Sequence, residues 1–142
     1  MKRILRNKDS GNFLERYYKS FRHAVSGIWY ALKYEHNMII ILAAIIVTSL
    51  AGFYFNIAAY EWLFVLLCFG CVAATEMINT AIEALVDLET MKYHPLAKIA
   101  KDTASSATLI FSFISLIGGI IIFLPKIIEM IGWLDVRKIK KS

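Results

Sequence analysis

The sequence has little charge and few residues that interrupt helices. Charged residues make up 19% of its 142 residues, and it contains seven glycines and two prolines. That composition excludes collagen-like chains and flexible linkers. So apolar and weakly charged a chain is also a poor match for intrinsic disorder. Its two cysteines are too few for a disulfide framework, and its length allows at most one domain.

Hydrophobic residues are what the chain has in excess. They make up 58% of the sequence, and the mean hydropathy is +0.59, whereas soluble domains are about 45–50% apolar. The composition therefore indicates an integral membrane protein. The net charge of +5 then fits an anionic membrane surface better than nucleic acid, so we expect no nucleic-acid partner.

Three apolar stretches are long enough to cross a membrane, which takes about 17–25 residues in a helix. They predict spanning helices over 38–55, 58–89 and 104–124, the last ended by Pro125 and Lys126. The second stretch continues without a turn signal into a polar half that keeps helical periodicity. The first apolar run lies behind a long charged segment, unlike a signal peptide, so we expect all three spans in the mature protein.

An amphipathic helix is predicted before the first span, over 16–34. Its aromatic and aliphatic residues recur along one helical face, and basic residues occupy the others. A basic, aromatic-rich helix of this kind lies in the plane of the membrane interface. We therefore expect an all-α integral membrane protein with one N-terminal interfacial helix and three transmembrane helices. Residues 1–15 form an N-terminal extension, and 125–142 form a basic tail.

Lysine and arginine predict the orientation in the membrane. Residues 1–37 contain eight of them, the 56–61 connection contains none, and 88–103 contains three. The positive-inside rule places the N-terminus and 88–103 in the cytoplasm. Three spans then leave five basic residues of the C-terminal tail outside, which conflicts with the rule. We follow the N-terminal charges because the first helix usually dominates.

Polar residues inside a membrane helix are costly and mark functional sites. The second span carries four within about 80° of one another around the helix: Glu76, Asn79, Glu83 and Asp87. Glu76 and Glu83 lie about 10.5 Å apart along the axis, too far to share an ion without another element. Glu35, just before the first span, can meet Glu83 at the cytoplasmic face. Asp87 is explained equally well by the helix leaving the membrane.

Basic residues follow the second span. His94, Lys98, Lys101 and Ser105 are spaced to share a helical face, and Asp102 follows Lys101. Lysine binds phosphate as a point charge, and one or two carboxylates together with substrate phosphates suit Mg²⁺. Lys98 needs no functional role, because the positive-inside rule alone accounts for a lysine in a cytoplasmic connection. The Lys101–Asp102 pair at the mouth of the third span is the stronger functional candidate.

Two runs of sequence resemble a known family. They are E-M-I-N-T-A-I-E-A-L-V-D over 76–87 and H-P-L-A-K-I-A-K-D over 94–102, and they are similar to the small bacterial membrane kinases of diacylglycerol and undecaprenol. The resemblance covers about residues 16–124, with residues 20–28 similar to the family's surface helix. It implies a homotrimer of three-span subunits. It also implies transfer of the γ-phosphoryl group of MgATP to a lipid hydroxyl at the cytoplasmic face of the bacterial inner membrane.

The resemblance implies a role for each candidate residue. Glu76 matches the proposed general base, while Glu35 and Glu83 match the residues that hold Mg²⁺ on the nucleotide phosphates. Further positions match residues that contact the nucleotide or order the site: Arg16, His23, His94, Lys101 and Asp102. Asn79 and Asp87 match supporting residues, and Ser105 matches a position associated with the lipid substrate.

The expected activity is that of an ATP-dependent lipid kinase. The residues of the motifs resemble those of the Gram-positive branch of this family more closely. Undecaprenol is therefore the expected acceptor, and undecaprenyl phosphate is the expected product. Diacylglycerol, giving phosphatidic acid, is the alternative. Outside this class, a small proton-coupled transporter or channel subunit with Glu76 and Glu83 as relay groups stays an alternative, as does a non-catalytic membrane adaptor. Nucleotide-dependent phosphate transfer distinguishes the kinase from both.

Overall fold

The computed structural model describes residues 12–139, and side chains over 12–132. Every regular element in this part of the chain is a helix: α1 (Phe13–Tyr34), α2 (His36–Tyr54), α3 (Ala59–Glu89) and α4 (Pro95–Ile139). The chain divides into two compact units after Glu35. The first unit contains α1, and the second contains α2, α3 and α4.

The first unit is a single amphipathic helix. α1 has 22 residues, and its last turn ends where the Glu35 N–H donates to the carbonyl of Ala31. Lys19 and Glu15 form an ion pair of 3.0 Å one turn apart. Large apolar side chains along the helix, including Phe21 and Trp29, are exposed. The helix expected over 16–34 is therefore present, and it begins earlier than expected, at Phe13.

The second unit is a three-helix arrangement built on α3. Each of its helices is long and apolar enough to cross a membrane, in agreement with the number of spans expected. α2 and α4 both pack against α3. Near the α2–α3 connection a small core forms around Ile57, Val65 and Ile122, with Trp62 and Phe123 packed against it.

α4 differs from the expected third span at both ends. It runs from Pro95 through Pro125 to Ile139, well beyond 104–124. Proline is favourable at the first position of a helix, where its missing N–H would have no partner. Within a helix proline costs about 3 kcal/mol. Here contacts beyond Pro125 favour continuation, because Lys126 pairs with Glu61 and the Tyr54 hydroxyl lies 3.6 Å from the Met130 sulfur.

An ion pair near each end of α3 joins it to α4. Lys101 Nζ lies 2.6 Å from Asp87 Oδ1, and Lys126 Nζ lies 3.2 Å from Glu61 Oε1. Along α3 these pairs are about 39 Å apart, close to the roughly 40–45 Å of a bilayer with its headgroups. The hairpin of α3 and α4 therefore carries one charged contact near each end of α3.

The pair between Lys126 and Glu61 neutralises part of the charge of the basic C-terminal tail. Lys126 belongs to the five basic residues that conflict with the positive-inside rule, and Glu61 neutralises it. The side chains of Arg137 and Lys138, and all of residues 140–142, lie outside the described part of the chain. So does most of the predicted N-terminal extension, over 1–11. For those residues the predictions stay predictions.

Gly118 gives a test of the packing between α3 and α4. A Cβ at this position would overlap the Phe64 ring, whereas one at Gly132, on the same helix, meets nothing within 4 Å among the described residues. We expect Gly118→Ala to lower the free energy of unfolding in micelles by about 1–3 kcal/mol, since the ring must move. Gly132→Ala should be neutral or stabilising because alanine is the better helix former. Equal thermal stability of the two variants would contradict this packing.

Candidate active site

The polar stripe of α3 begins with Glu76, which is 2% exposed. Its Oε1 accepts a hydrogen bond of 2.8 Å from Asn37 Nδ2. Asn37 lies in the first turn of α2, so Glu76 is level with the end of a span and not with its middle. A carboxylate at the membrane boundary is much less costly than one at the bilayer centre.

The rest of the stripe extends beyond the membrane boundary. α3 has 31 residues and is about 46 Å long, against about 30 Å of hydrocarbon. Its last three turns or so therefore project past the start of α2. Glu83 and Asp87 lie on this projecting part, about 10.5 and 16 Å beyond Glu76. A ligand dissolved in water can reach them, while Glu76 faces the boundary itself.

Asn79 links the two levels of the stripe. It is 6% exposed, and its Nδ2 donates to Glu83 Oε1 at 3.1 Å. Its Oδ1 is buried and has no hydrogen-bond partner among the side chains described. The hydroxyl of Thr80, the next residue, donates to the Glu76 carbonyl oxygen one turn earlier at 3.1 Å. The Asn79 amide therefore contacts the Glu83 carboxylate through its nitrogen and keeps a buried oxygen without a partner.

The two lysines at the start of α4 have different partners. Lys101 reaches across to Asp87 on α3, whereas Lys98 pairs with Asp102 on its own helix, each at 2.6 Å. Treating Lys101 and Asp102 as one pair was therefore wrong, because neighbours in a helix point in directions about 100° apart. Pairs as exposed as these contribute about 0–1 kcal/mol to stability, so an incoming phosphate can displace a partner cheaply.

His94 lies outside the helical face to which its spacing assigned it. The helix begins at Pro95, because the residue before a proline disfavours helical backbone. His94 Nδ1 instead accepts the N–H of Leu96 at 3.3 Å, as an N-cap side chain does. Its ring is exposed at the start of α4, and Ser105, about three turns further along, is exposed as well.

Comparison with known proteins shows the family to which the chain belongs. The model of the prokaryotic diacylglycerol kinases matches residues 22–123, which include the whole polar stripe. The chain belongs to the prokaryotic diacylglycerol kinase family. Its activity is therefore that of a lipid kinase.

Individual relatives in this family differ in how much of the chain they match. The chain is 45% identical to the undecaprenol kinase of Bacillus subtilis over 85% of its own length and 98% of that protein. It is 33% identical to a diacylglycerol kinase of Synechocystis over 78% of its length and 64% of the relative. A diacylglycerol kinase of Helicobacter pylori is 55% identical over 51 residues, which is 35% of this chain and 39% of that protein.

A kinase of this family requires a divalent metal, and the oxygen ligands at the level of Glu83 fit one. A carboxylate and the partnerless Oδ1 of Asn79 are hard ligands of the type that such ions prefer. Within residues 12–132 no three His, Cys, Asp or Glu side chains form a complete metal site. This donor set fits an ion whose remaining ligands are nucleotide phosphates.

Three expected site residues belong to the first unit. Arg16 and His23 are exposed on α1, two turns apart on nearly the same face, and Glu35 is half-buried just after the helix. That Glu35 meets Glu83 stays a prediction. Sequence reasoning missed Asn37 as a partner of Glu76. The signal available was a lone amide at the start of an otherwise apolar span.

The separate partners of the lysines give a matched test. We expect Lys101→Ala to lower kcat/KM for ATP at least tenfold. The substitution removes a positive charge beside the carboxylates of α3, and the nucleotide phosphates require such a charge for their neutralisation. Lys98→Ala, which removes a charge paired within its own helix, should change kcat/KM less than about threefold. Steady-state kinetics in lipid micelles measure both. Equal losses in the two variants would contradict the assignment.

Proposed function

We propose that this chain phosphorylates undecaprenol, transferring the γ-phosphoryl group of ATP to the lipid hydroxyl to give undecaprenyl phosphate and ADP. The choice of lipid is supported by the 45% identity to an undecaprenol kinase over nearly all of that protein. Diacylglycerol, giving phosphatidic acid, is the second candidate because other relatives carry that name.

The observation that carries the mechanism is the offset between Glu76 and the rest of the stripe. Glu76 is buried at the level where α2 begins, and Glu83 projects about 10.5 Å further out. A lipid alcohol approaches from the membrane and a nucleotide from the water, so their reacting groups meet between these carboxylates. We assign Glu76 as the general base that accepts the proton of the lipid hydroxyl as its oxygen attacks the γ-phosphorus.

Phosphoryl transfer is accelerated mainly by positioning and by neutralising charge. We assign Glu83 and Glu35 as the residues that hold Mg²⁺, with Asn79 ordering Glu83 through the 3.1 Å hydrogen bond. Mg²⁺, when bound, supplies charge neutralisation at the transferred group. Lys101 adds a further positive charge and is oriented by Asp87.

The remaining assignments concern the nucleotide and the lipid. The residues assigned to nucleotide binding are Arg16, His23, His94, Lys101 and Asp102. For His94, support comes from its exposed ring at the start of α4, and for Asp102 from its exposed pair with Lys98. Ser105, exposed on α4, is assigned to the lipid side.

We further propose that the protein works as a homotrimer in the bacterial inner membrane, with its active site at the cytoplasmic face. The eight basic residues of 1–37 support that orientation. The exposed aromatic side chains of α1 support its place in the membrane interface. In a trimer, Glu35 and Glu83 need not come from the same subunit.

An assay with γ-labelled MgATP in detergent micelles, with undecaprenol and diacylglycerol offered in parallel, tests the proposed function. We expect label in undecaprenol, and a loss of at least 100-fold in Glu76→Gln, which keeps the shape but cannot take the proton. Glu89→Gln, at the exposed end of the same helix, is the matched control and should retain activity.

The outcomes of this assay are distinct. Label in diacylglycerol alone would replace the proposed substrate and keep the kinase. Label in neither lipid, from folded protein, would overturn the assignment to both substrates. Full activity of Glu76→Gln would contradict the assignment of Glu76 as the general base.

A further inference from the structure

The hydrogen bond between Asn37 and Glu76 is a contact between helices that the proposed mechanism leaves without a role. It joins residues 39 positions apart in the sequence, on α2 and α3, at 2.8 Å. The carboxylate it reaches is 2% exposed. A carboxylate with so little access to water depends on protein donors for its hydrogen bonds.

The chemistry of the donor matters as much as its position. A side-chain amide offers two N–H groups and carries no charge. It can hold a carboxylate oxygen without neutralising the carboxylate, whereas a lysine or arginine there would form an ion pair. The backbone N–H groups around Glu76 are engaged within α3, so a side chain supplies the donor, and it comes from the neighbouring helix α2.

The geometry also limits the freedom of the carboxylate. A glutamate has three side-chain torsions, and the last of them is broad. A bond from a different helix to one oxygen, Oε1, restricts that torsion and fixes the direction of Oε2. Restricting a reacting group to one orientation lowers the entropic part of the activation barrier.

We propose that Asn37 is a positioning residue for Glu76: its amide holds Oε1 so that Oε2 is presented to the lipid hydroxyl. This inference rests on the proposed function, in which Glu76 is the general base. Asn37 acts through Glu76, so its loss should alter turnover and leave substrate affinity unchanged.

Steady-state kinetics of two Asn37 variants test the proposal. Asn37→Leu keeps the approximate shape and removes the donor, and Asn37→Asp replaces the donor with a second carboxylate. We expect kcat to fall about 10- to 100-fold in the first and further in the second, because like charges repel. KM for ATP and for the lipid should stay within twofold. The control is Asn56→Gly in the exposed α2–α3 connection, where φ is 49°, a conformation that glycine adopts readily.

A double variant shows whether Asn37 acts through Glu76. In a Glu76→Gln background, Asn37→Leu should cause no further loss, since groups that act as a unit are not additive. An additional tenfold loss would overturn the proposal, and so would a raised KM with unchanged kcat. Normal kcat in Asn37→Leu beside an inactive Glu76→Gln would refute the positioning role and leave the general base intact. An active Glu76→Gln would instead refute the base.

A measurement that needs no turnover guards against a variant that fails to fold. The side-chain amide resonance of Asn37 in the folded, isotopically labelled chain should shift when Glu76 is replaced by glutamine. The amide of Asn56 should not move. An unchanged Asn37 resonance would overturn the proposal whatever the activity of the variants.

Discussion

The length of α3 is the constraint on which the site depends. A helix of 31 residues is about 46 Å long and exceeds the hydrocarbon thickness by roughly 16 Å. That excess has to project from the membrane, and it lies at the C-terminal end of α3 because Glu76 is level with the first turn of α2. The polar stripe therefore begins at the boundary and continues into water.

This placement resolves an apparent energetic problem. An ionised side chain at the bilayer centre costs about 2.5–3.5 kcal/mol on insertion scales, and Glu76 is almost fully buried. Its level at the start of α2 and its hydrogen bond to Asn37 reduce that cost. The exposed ion pair of Lys101 with Asp87 contributes little to stability, so Lys101 is free to serve binding.

Much of this architecture could be predicted from the sequence. The span expected over 58–89 is Ala59–Glu89 in the structure, because helical periodicity continued where the hydrophobicity stopped. The polar stripe was visible for the same reason. The placement of α1 relative to Glu83 was not accessible from local patterns.

Other features were hidden because they depend on contacts between helices. Periodicity assigned Lys101 and Asp102 to one site, yet the register of α3 against α4 gives them different partners. Proline signalled the end of the third span, but contacts of Lys126 and Met130 favour a longer helix. The hydrogen bond between Asn37 and Glu76 joins α2 and α3, and the alignment of these helices cannot be read from the sequence of either one alone.

The level of the stripe in the membrane can be measured directly. Nitroxide labels at Ile78 and Leu85, both exposed on α3, would be compared in vesicles of a chain with Cys68 and Cys71 replaced by alanine. Collision rates with oxygen and with a water-soluble nickel chelate report depth. We predict position 78 at the membrane boundary and position 85 in water, about 10 Å further out. Both labels in hydrocarbon would contradict the account.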